Sequence, residues 1–324
     1  MRFVALAALA CVASIGQVSA QTQWRPDRSV ELILPTAPGG GNDAMGRLMQ
    51  RILLERKIVS VPILPVNKPG GSQALSATYL TQHEGDPHKL LFATATLLTN
   101  EIQGRTRFSY TDFAPLGLAY IDYSAIMVAG DSPIKTMQDL MSRLKADPGS
   151  VAFSVVAQGG TSHAALAQAM KAGGVDPKRL KIVVFKTSAD AWTALLGGHI
   201  QAAISSVSGS TQQAIAGTIR MLAIAGPQRR TGPLANVPTL RETGLDTSGV
   251  ATWRAIFGAK GITPAQAAFW EDALARTFAS EEWKARTEAD DVSAPPLRGK
   301  ELAKYLDEQY AYTRGVLVEL GMAR

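Results

Sequence analysis

The sequence predicts an α/β protein with parallel sheets, divided into two domains. Short apolar runs rich in β-branched residues alternate with longer runs whose apolar residues recur at helical spacing. This alternation is typical of parallel strands with helices on both faces of the sheet. The chain has 324 residues, and at roughly 150 residues per domain this length predicts two domains. A composition of 46% hydrophobic and 19% charged residues excludes a disordered chain, a coiled coil and a collagen-like repeat.

Nine short apolar runs predict the strands, in chain order. They are residues 30–34, 62–66, 90–93, 126–128, 151–155, 182–185, 202–204, 221–225 and 254–258. Two helical faces carry apolar residues three or four positions apart: Met45, Leu48, Met49, Ile52 and Leu53, and then Ala165, Leu166, Ala169 and Met170. From Thr263 onward the pattern predicts helices alone. No linker marks a domain boundary, so we expect the chain to cross twice between the domains, within the extended segments 118–124 and 246–252.

The first twenty residues have the pattern of a secretory signal peptide. Arg2 supplies a positive charge, residues 3–16 are apolar, and residues 18–20 form a small-residue cleavage site. The apolar run is shorter than the about 20 residues that span a bilayer. The only cysteine, Cys11, lies inside this segment, so a chain cut after Ala20 contains no thiol. Lipid attachment at Cys11 stays open as an alternative.

The basic character of the chain does not indicate nucleic-acid binding. The formal net charge is +6, from 33 basic and 27 acidic residues. The basic residues are scattered, and pairs such as Lys178-Arg179 and Arg229-Arg230 have no aromatic residues between them. This pattern predicts a solvated basic surface and no nucleic-acid partner.

Three glycine-rich loops each follow a predicted strand and precede a predicted helix. They are residues 35–43, 67–73 and 157–163. In open α/β sheets, ligands bind beyond the carboxyl ends of the strands, where such loops meet helix N-termini. Glycine lets the backbone approach a ligand, and the first N–H groups of a helix have no partner within it. Because the helix dipole adds positive charge there, the loops predict a site for a small anion.

Each loop also has a purely structural interpretation, because a strand-to-helix turn can use glycine for its geometry and a polar residue to cap the helix. The residues able to cap are Asn42, Asp43, Ser72, Thr161 and Ser162. The run Gly39-x-Gly41-x-x-Ala44 fits the relaxed dinucleotide fingerprint, but Asn67 stands where an acid would bind the ribose. A nicotinamide enzyme is therefore disfavoured.

No catalytic motif stands out in the sequence. A Gly-x-Ser-x-Gly elbow is absent, and Ser162 and His163 are adjacent, so they do not face each other on a helix. The segment between His83 and His88 contains glycine and proline, which break the helix that a zinc motif needs. We therefore expect a binding protein without metal or cofactor, and no enzyme.

In order and spacing, the motifs resemble the substrate-binding proteins of tripartite tricarboxylate transporters, the Bug-type receptors, over nearly the whole mature chain. The segments that carry the resemblance are Leu-Pro-Thr-Ala-Pro-Gly-Gly-Gly-Asn-Asp at 34–43 with Arg47, Val-Asn-Lys-Pro-Gly-Gly at 66–71, Gly-Gly-Thr-Ser-His at 159–163, Leu-Leu-Gly-Gly-His-Ile at 195–200, Val-Pro-Thr-Leu at 237–240, and Trp253 before Gly-Ile-Thr-Pro at 261–264. The resemblance implies a two-lobed periplasmic-binding-protein type II fold, an α/β architecture of two Rossmann-like domains joined by a two-crossing hinge. Residues 1–20 are then the signal peptide, residues 21–122 with 249–324 form lobe 1, and residues 123–248 form lobe 2.

The resemblance further implies a monomeric receptor of the periplasm that closes on a small mono- or dicarboxylate and delivers it to a membrane permease of the tripartite tricarboxylate type. In the family, the first two loops hold one carboxylate through backbone N–H groups and bridging water. Carried over by position, these residues are Gly39, Gly40, Asn42, Asp43, Gly70, Gly71, Ser72 and Gln73. The second lobe contributes the hydroxyls of Thr161 and Ser162, followed by His163. An exported α/β enzyme, or a receptor that serves a sensor protein, are the alternatives.

The chain departs from the family pattern at two positions. Ser205 stands where many relatives have an aspartate that reaches the ligand, which disfavours an amino-acid ligand because an ammonium group loses its partner. The third strand ends at Thr94 with the run Phe-Ala-Thr-Ala-Thr, where relatives usually have glycine with Ser or Thr. Thr94 and Ser205 complete the set of predicted ligand contacts.

Overall fold

The computed structural model describes residues 24–185, 188–245, 251–292 and 294–324. The predicted signal peptide lies outside these ranges, as does Cys11, so cleavage after Ala20 and lipid attachment both stay predictions. None of the described helices combines the length and the apolar character that a bilayer span requires.

Five strands form the sheet of the first lobe, in the order β2-β1-β3-β10-β4. Their bounds are β1 Val30–Leu34, β2 Ile63–Asn67, β3 Lys89–Thr94, β4 Phe113–Asp122 and β10 Thr252–Ala259. β1 pairs in parallel with β2 and β3, whereas β10 runs antiparallel between β3 and β4. The carboxyl ends of β1, β2 and β3 therefore lie at the same edge of the sheet as the start of β10.

Five further strands form the sheet of the second lobe, in the order β7-β6-β8-β5-β9. Their bounds are β5 Ser124–Ala129, β6 Ala152–Val155, β7 Lys181–Val184, β8 Ala202–Ser206 and β9 Ile219–Ile224. β6 pairs in parallel with β7 and β8, and β5 runs antiparallel to β8 and β9. The two sheets have the same strand pattern, with one antiparallel strand in the fourth position of each.

Ten α-helices in the described ranges cover the two sheets. They are α1 Gly41–Glu55, α2 Ala74–Thr81, α3 Thr96–Ile102, α4 Met137–Ala146, α5 Thr161–Ala172, α6 Ser188–Leu196, α7 Thr211–Ile215, α8 Pro264–Phe278, α9 Glu281–Ala289 and α10 Gly299–Glu319. The predicted apolar face of α1 packs in the first core, where Met45 and Met49 join Leu32 and Leu34 of β1. The predicted face of α5 is buried in the same way in the second lobe. Burial of these faces fixes how each helix lies on its sheet and therefore the direction in which its N-terminus points.

The prediction of parallel sheets is correct for β1, β2 and β3 and for β6, β7 and β8, but β5 and β10 run antiparallel to their neighbours. β4 was not among the predicted strands, and the segment 118–124 was expected to be a crossing. Pro115 and Gly117 disfavour a strand locally. Pairing along the whole length of β10 overrides that preference, with register shifts that absorb the irregular backbone. The first crossing is reduced to the step from Asp122 of β4 to Ser124 of β5.

The last helix, α10, packs against both lobes. Leu302, Leu306 and Leu317 belong to a core of the first lobe, whereas Val316 belongs to the core of the second. Lys171 of α5 pairs with Glu319 near the end of the helix, with an Nζ–Oε1 distance of 2.6 Å. The C-terminal helix therefore joins the lobes, and the exact lobe boundaries at 122/123 and 248/249 stay a prediction.

Candidate functional site

The first glycine-rich loop carries the chain from β1 into α1. Gly39 has φ +84°, a conformation that favours glycine, and Gly40 is the N-cap residue of α1. No side chain caps this helix, whereas the N-termini of α4, α8 and α9 are capped by Thr136, Thr263 and Ser280. Because the first N–H groups of a helix have no partner within it, α1 presents uncompensated donors and the positive end of its dipole.

The Asp43 side chain holds this loop in shape. Its Oδ2 accepts hydrogen bonds from the Gly39 N–H and Arg47 Nε, both at 2.9 Å, and its Oδ1 accepts one from Asn67 Nδ2 at 2.8 Å. The hydrogen bond from Arg47, followed by those from Asn67 and Gly39, lowers the pKa of Asp43 from 3.8 to about 2 despite the opposing effect of burial. Asp43 is 3% exposed, so its carboxyl acts within the loop.

The third loop repeats this design in the second lobe. Gly159 has φ +70°, and Gly160 is the N-cap residue of α5, which also has no side-chain cap. The Gly159 N–H donates to Nδ1 of His163, four residues on, at 2.9 Å, just as Gly39 donates to Asp43. Each lobe therefore presents an uncapped helix N-terminus behind a glycine pair that is tied to the third residue of its helix.

His163 must be neutral to play this part, because its Nδ1 is the acceptor for the Gly159 N–H. The side chain is buried, and burial lowers the pKa of His163 below its usual 6.5. The loop of the second lobe is thus held by a neutral group, and that of the first lobe by an ionised one.

The second loop, between β2 and α2, contains a run of left-handed backbone. Gly70, Gly71, Ser72 and Gln73 have φ of +131°, +57°, +50° and +80°. Non-glycine residues pay roughly 1–2 kcal/mol each for this conformation. The amide of Gln73 fixes the run to the end of β3, since its Oε1 accepts the Thr94 N–H at 2.7 Å. Strain of this kind persists only where surrounding contacts enforce it.

Helix α3 connects the second loop with the third. Asn100 Nδ2 donates to the Ser72 carbonyl at 2.8 Å, and Gln103 Nε2 donates to the Gly159 carbonyl at 2.8 Å. Asn100 and Gln103 are one turn apart on or directly after the same short helix. The loop at β2 in the first lobe and the loop at β6 in the second lobe therefore lie close together.

Arg254 and Thr252 of β10 connect the first loop with the third. Arg254 Nε donates to Asn42 Oδ1 at 2.9 Å, and Arg254 Nη1 donates to the Thr252 carbonyl at 2.9 Å. The hydroxyl of Thr252 in turn lies 3.3 Å from that of Thr161, the first residue of α5. The uncapped ends of α1 and α5 therefore converge on the same cleft between the lobes.

The other predicted site residues differ in their contacts with the three loops. Ser162 pairs with Ser124 at the first crossing, with an Oγ–Oγ distance of 3.0 Å. The Thr94 hydroxyl is taken by Thr96 at 2.6 Å. Ser205 lies half-buried in β8 beside Ala125, and no hydrogen bond within the described chain joins its side chain to the loops. Direct contact of any of the predicted residues with a ligand stays a prediction.

Sequence reasoning missed Asn100, Gln103 and Arg254, which tie the loops together. Asn100 lies in a short helix and Gln103 directly after it, outside the glycine-rich loops, and the sequence places Arg254 only at the start of a predicted strand. The available signal was the position of Arg254 directly after the second crossing. Strand direction had to be known before that position could be placed at the cleft.

A buried carboxyl marks the first crossing between the lobes. Asp122 accepts hydrogen bonds from Ser208 Oγ at 2.6 Å and from the Tyr123 N–H at 2.8 Å. Burial raises the pKa of Asp122, and the positive charge of Arg254 opposes that shift. Ser208 belongs to the second lobe, so this carboxyl ties the end of β4 to the neighbouring lobe.

The donors at the cleft are suited to a small anion. They are backbone N–H groups, hydroxyls and one guanidinium, and the described residues contain no group of three or more His, Cys, Asp or Glu placed to hold a metal ion. Two α/β lobes with an uncapped helix end from each lobe at the cleft define a two-lobed solute-binding protein.

Comparison with known proteins identifies the family. The model of the tripartite tricarboxylate transporter family receptor, TctC, matches residues 48–322. The chain belongs to this family, as the resemblance predicted. It is 27% identical to the protein BugT of Bordetella pertussis over 267 residues, which cover 81% of this chain and 78% of BugT.

Solved structures confirm the two-lobed fold. MatC from Rhodopseudomonas palustris with bound malate is 22% identical and has a TM-score of 0.76. The match covers 90% of this chain and 99% of MatC. An R. palustris protein with adipate is 23% identical and has a TM-score of 0.80. The match covers 92% of this chain and 99% of that protein. The family is one of solute-binding receptors, so the chain is a receptor and not an enzyme.

Proposed function

We propose that the protein is a periplasmic receptor that binds a small carboxylate between its lobes and delivers it to a membrane permease of the tripartite tricarboxylate type. The observation that carries the proposal is the convergence of two uncapped helix N-termini, α1 and α5, from separate lobes. Malate and adipate in the two R. palustris relatives support a carboxylate ligand here.

The chemistry of the cleft fits reversible binding. Hydrogen bonds from N–H and O–H donors to a carboxylate contribute roughly 1.5–3 kcal/mol each before the cost of association. Since donors from both lobes surround the ligand only when the lobes approach, the ligand favours the closed state. We expect micromolar affinity, about −8 kcal/mol, which permits release to a permease.

Isothermal titration calorimetry with mono- and dicarboxylates tests the proposal. At least one acid of the panel is expected to bind with micromolar affinity, and small-angle scattering should show that the lobes close around it. Aspartate serves as the control against succinate, and succinate should bind more tightly because Ser205 offers no charge to an ammonium group. A purified protein that binds none of these acids would contradict the carboxylate ligand.

Lowering the pH is expected to weaken ligand binding through His163. Protonation of Nδ1 removes the acceptor for the Gly159 N–H, so affinity should fall several-fold as the pH is lowered from about 7.5 to well below 6.5. Because the pKa of His163 is lower in the folded protein than in the unfolded chain, the unfolded chain takes up the proton first as the pH falls. The contribution of His163 to stability is therefore present above pH 6.5 and decreases below it.

The variant His163→Asn separates this effect from general acid sensitivity. The amide Oδ1 of asparagine takes the place of Nδ1 as acceptor but does not titrate, so the affinity of this variant should change little over the same pH range. His199→Asn, at a histidine outside the cleft, should keep the pH dependence of the unaltered protein. A parallel decline in His163→Asn would refute the assignment.

A further inference from the structure

Arg254 lies at the edge of the first sheet that opens on the cleft. Its neighbours across the sheet are Thr94 at the carboxyl end of β3 and Tyr120 of β4, whose ring lies 5.6 Å from the guanidinium carbon. Asn42 at the start of α1 accepts from Nε at 2.9 Å. The guanidinium is therefore held in one place, beside the helix end that is suited to a first carboxylate.

Every contact that the described residues make with this guanidinium is with a neutral group. Nε and Nη1 donate to Asn42 and to the carbonyls of Thr252 and Trp253, and Nη2 donates to nothing within the described chain. No carboxylate oxygen of the described residues lies within 4.0 Å of it. Asp122 interacts with it at longer range, but its carboxylate already accepts hydrogen bonds from Ser208 Oγ and the Tyr123 N–H.

Another partly buried arginine of this chain shows the usual arrangement. The Arg230 side chain is 12% exposed, and its Nε pairs with Asp291 Oδ2 at 2.8 Å. A charge removed from water normally finds such a partner, because burial without one is costly. Arg254 is also partly buried, yet it faces the cleft with a positive charge and an unused donor group.

Building on the proposed function, we propose that Arg254 selects dicarboxylates by pairing with the second carboxylate of the ligand. The first carboxylate lies at the uncapped helix ends, where a single negative charge is satisfied. A second carboxylate enclosed between the lobes needs a counter-charge, and the Nη2 group supplies a charge-assisted hydrogen bond. A monocarboxylate of the same length leaves the guanidinium unpaired.

Paired titrations test this inference. Succinate, glutarate and adipate are each compared with the monocarboxylate of equal carbon number, butyrate, pentanoate and hexanoate, on the unaltered protein and on Arg254→Gln and Arg254→Lys. The readout is the ratio of diacid to monoacid affinity. In Arg254→Gln this ratio should fall roughly 10- to 100-fold, the range expected for one charge-assisted hydrogen bond. Arg254→Lys keeps the positive charge but lacks the planar guanidinium, so its ratio should lie between those of Arg254→Gln and the unaltered protein.

Arg56→Gln is the matched control, because it removes the same charge from an exposed pair with Glu282 at a helix end away from the cleft. Its ratio should equal that of the unaltered protein. Thermal unfolding of each variant establishes that the fold is retained. The inference is overturned if Arg254→Gln loses equal affinity for diacids and monoacids, or loses none. It is also overturned if the unaltered protein binds monoacids as tightly as diacids. In these cases the proposal of carboxylate binding itself stands. An unaltered protein that binds no acid overturns the proposed function and this inference together.

Discussion

Replacing Asp43 with asparagine is expected to remove about 2 kcal/mol of unfolding free energy and to weaken carboxylate binding at least tenfold, since hydrogen bonds to a charged group contribute roughly 1.5–3 kcal/mol. Three donors converge on the two oxygens of this carboxyl: the Gly39 N–H, Arg47 Nε and Asn67 Nδ2. An asparagine offers one oxygen and one NH₂ group, so one side of the loop meets a donor instead of an acceptor. Urea unfolding and calorimetric titration measure the two effects.

The stability that Asp43 supplies has a defined pH range. Its pKa is about 2 in the folded protein and 3.8 without these contacts, so the contribution is complete above about pH 4 and is lost as the pH falls through 2. The Asp43→Asn variant should lack this part of the acid transition. Asp139→Asn is the control, because Asp139 accepts backbone N–H groups at the start of α4, far from the cleft. It should leave affinity unchanged, and equal losses of affinity in both variants would contradict the role of Asp43.

Replacing Gly159 with alanine is expected to weaken ligand binding by roughly 5- to 150-fold, corresponding to the 1–3 kcal/mol typical of overpacking. A Cβ at this position would lie 1.9 Å from Gln103 Nε2 and 2.9 Å from Gln103 Cδ. The amide of Gln103 would have to leave, and its hydrogen bond to the Gly159 carbonyl would be lost. Because Gln103 belongs to the first lobe and Gly159 to the second, the substitution raises the free energy of the state in which the lobes lie together.

Gly39→Ala is the matched comparison for this prediction. Gly39 occupies the equivalent position in the first lobe and has a similar φ of +84°, but apart from its chain neighbours no atom of the described residues lies within 4 Å of a Cβ built on it. Its replacement adds conformational strain without a contact between lobes, so its loss of affinity should be the smaller. The ligand-induced change in radius of gyration should persist in Gly39→Ala and diminish in Gly159→Ala. Equal behaviour of the two variants would refute the role of Gln103 in closure.

The two lobes use the same loop with different chemistry. Gly39 and Asp43 in the first lobe correspond to Gly159 and His163 in the second, with the same glycine N-cap and the same spacing. The ionised group resists acid down to about pH 2, whereas the neutral imidazole loses its acceptor on protonation. We therefore expect the second lobe to set the lower pH limit of ligand binding.

The sequence by itself determined the local features of the site. The spacing from Gly39 to Asp43 and from Gly159 to His163 lies within one helical turn, so the loop, the N-cap glycine and the exposed helix end follow from neighbouring residues. The apolar faces of α1 and α5, and nine of the ten strands in the described ranges, were likewise visible, because a helical period of 3.6 residues and a short apolar run are local properties. Pro115 and Gly117 obscured β4 for the same reason.

Only the tertiary structure decided which of these features meet. Arg254 reaches Asn42 across 212 residues of sequence, and Gln103 reaches Gly159 across 56. Both contacts depend on the antiparallel placement of β10 and on the packing of α3, which no local pattern encodes. Strand direction and strand order depend on which arrangement of the whole chain buries the apolar faces of its helices and strands. The sequence therefore predicts an anion site in each lobe, and only the folded molecule brings the two loops to one cleft with Arg254 beside it.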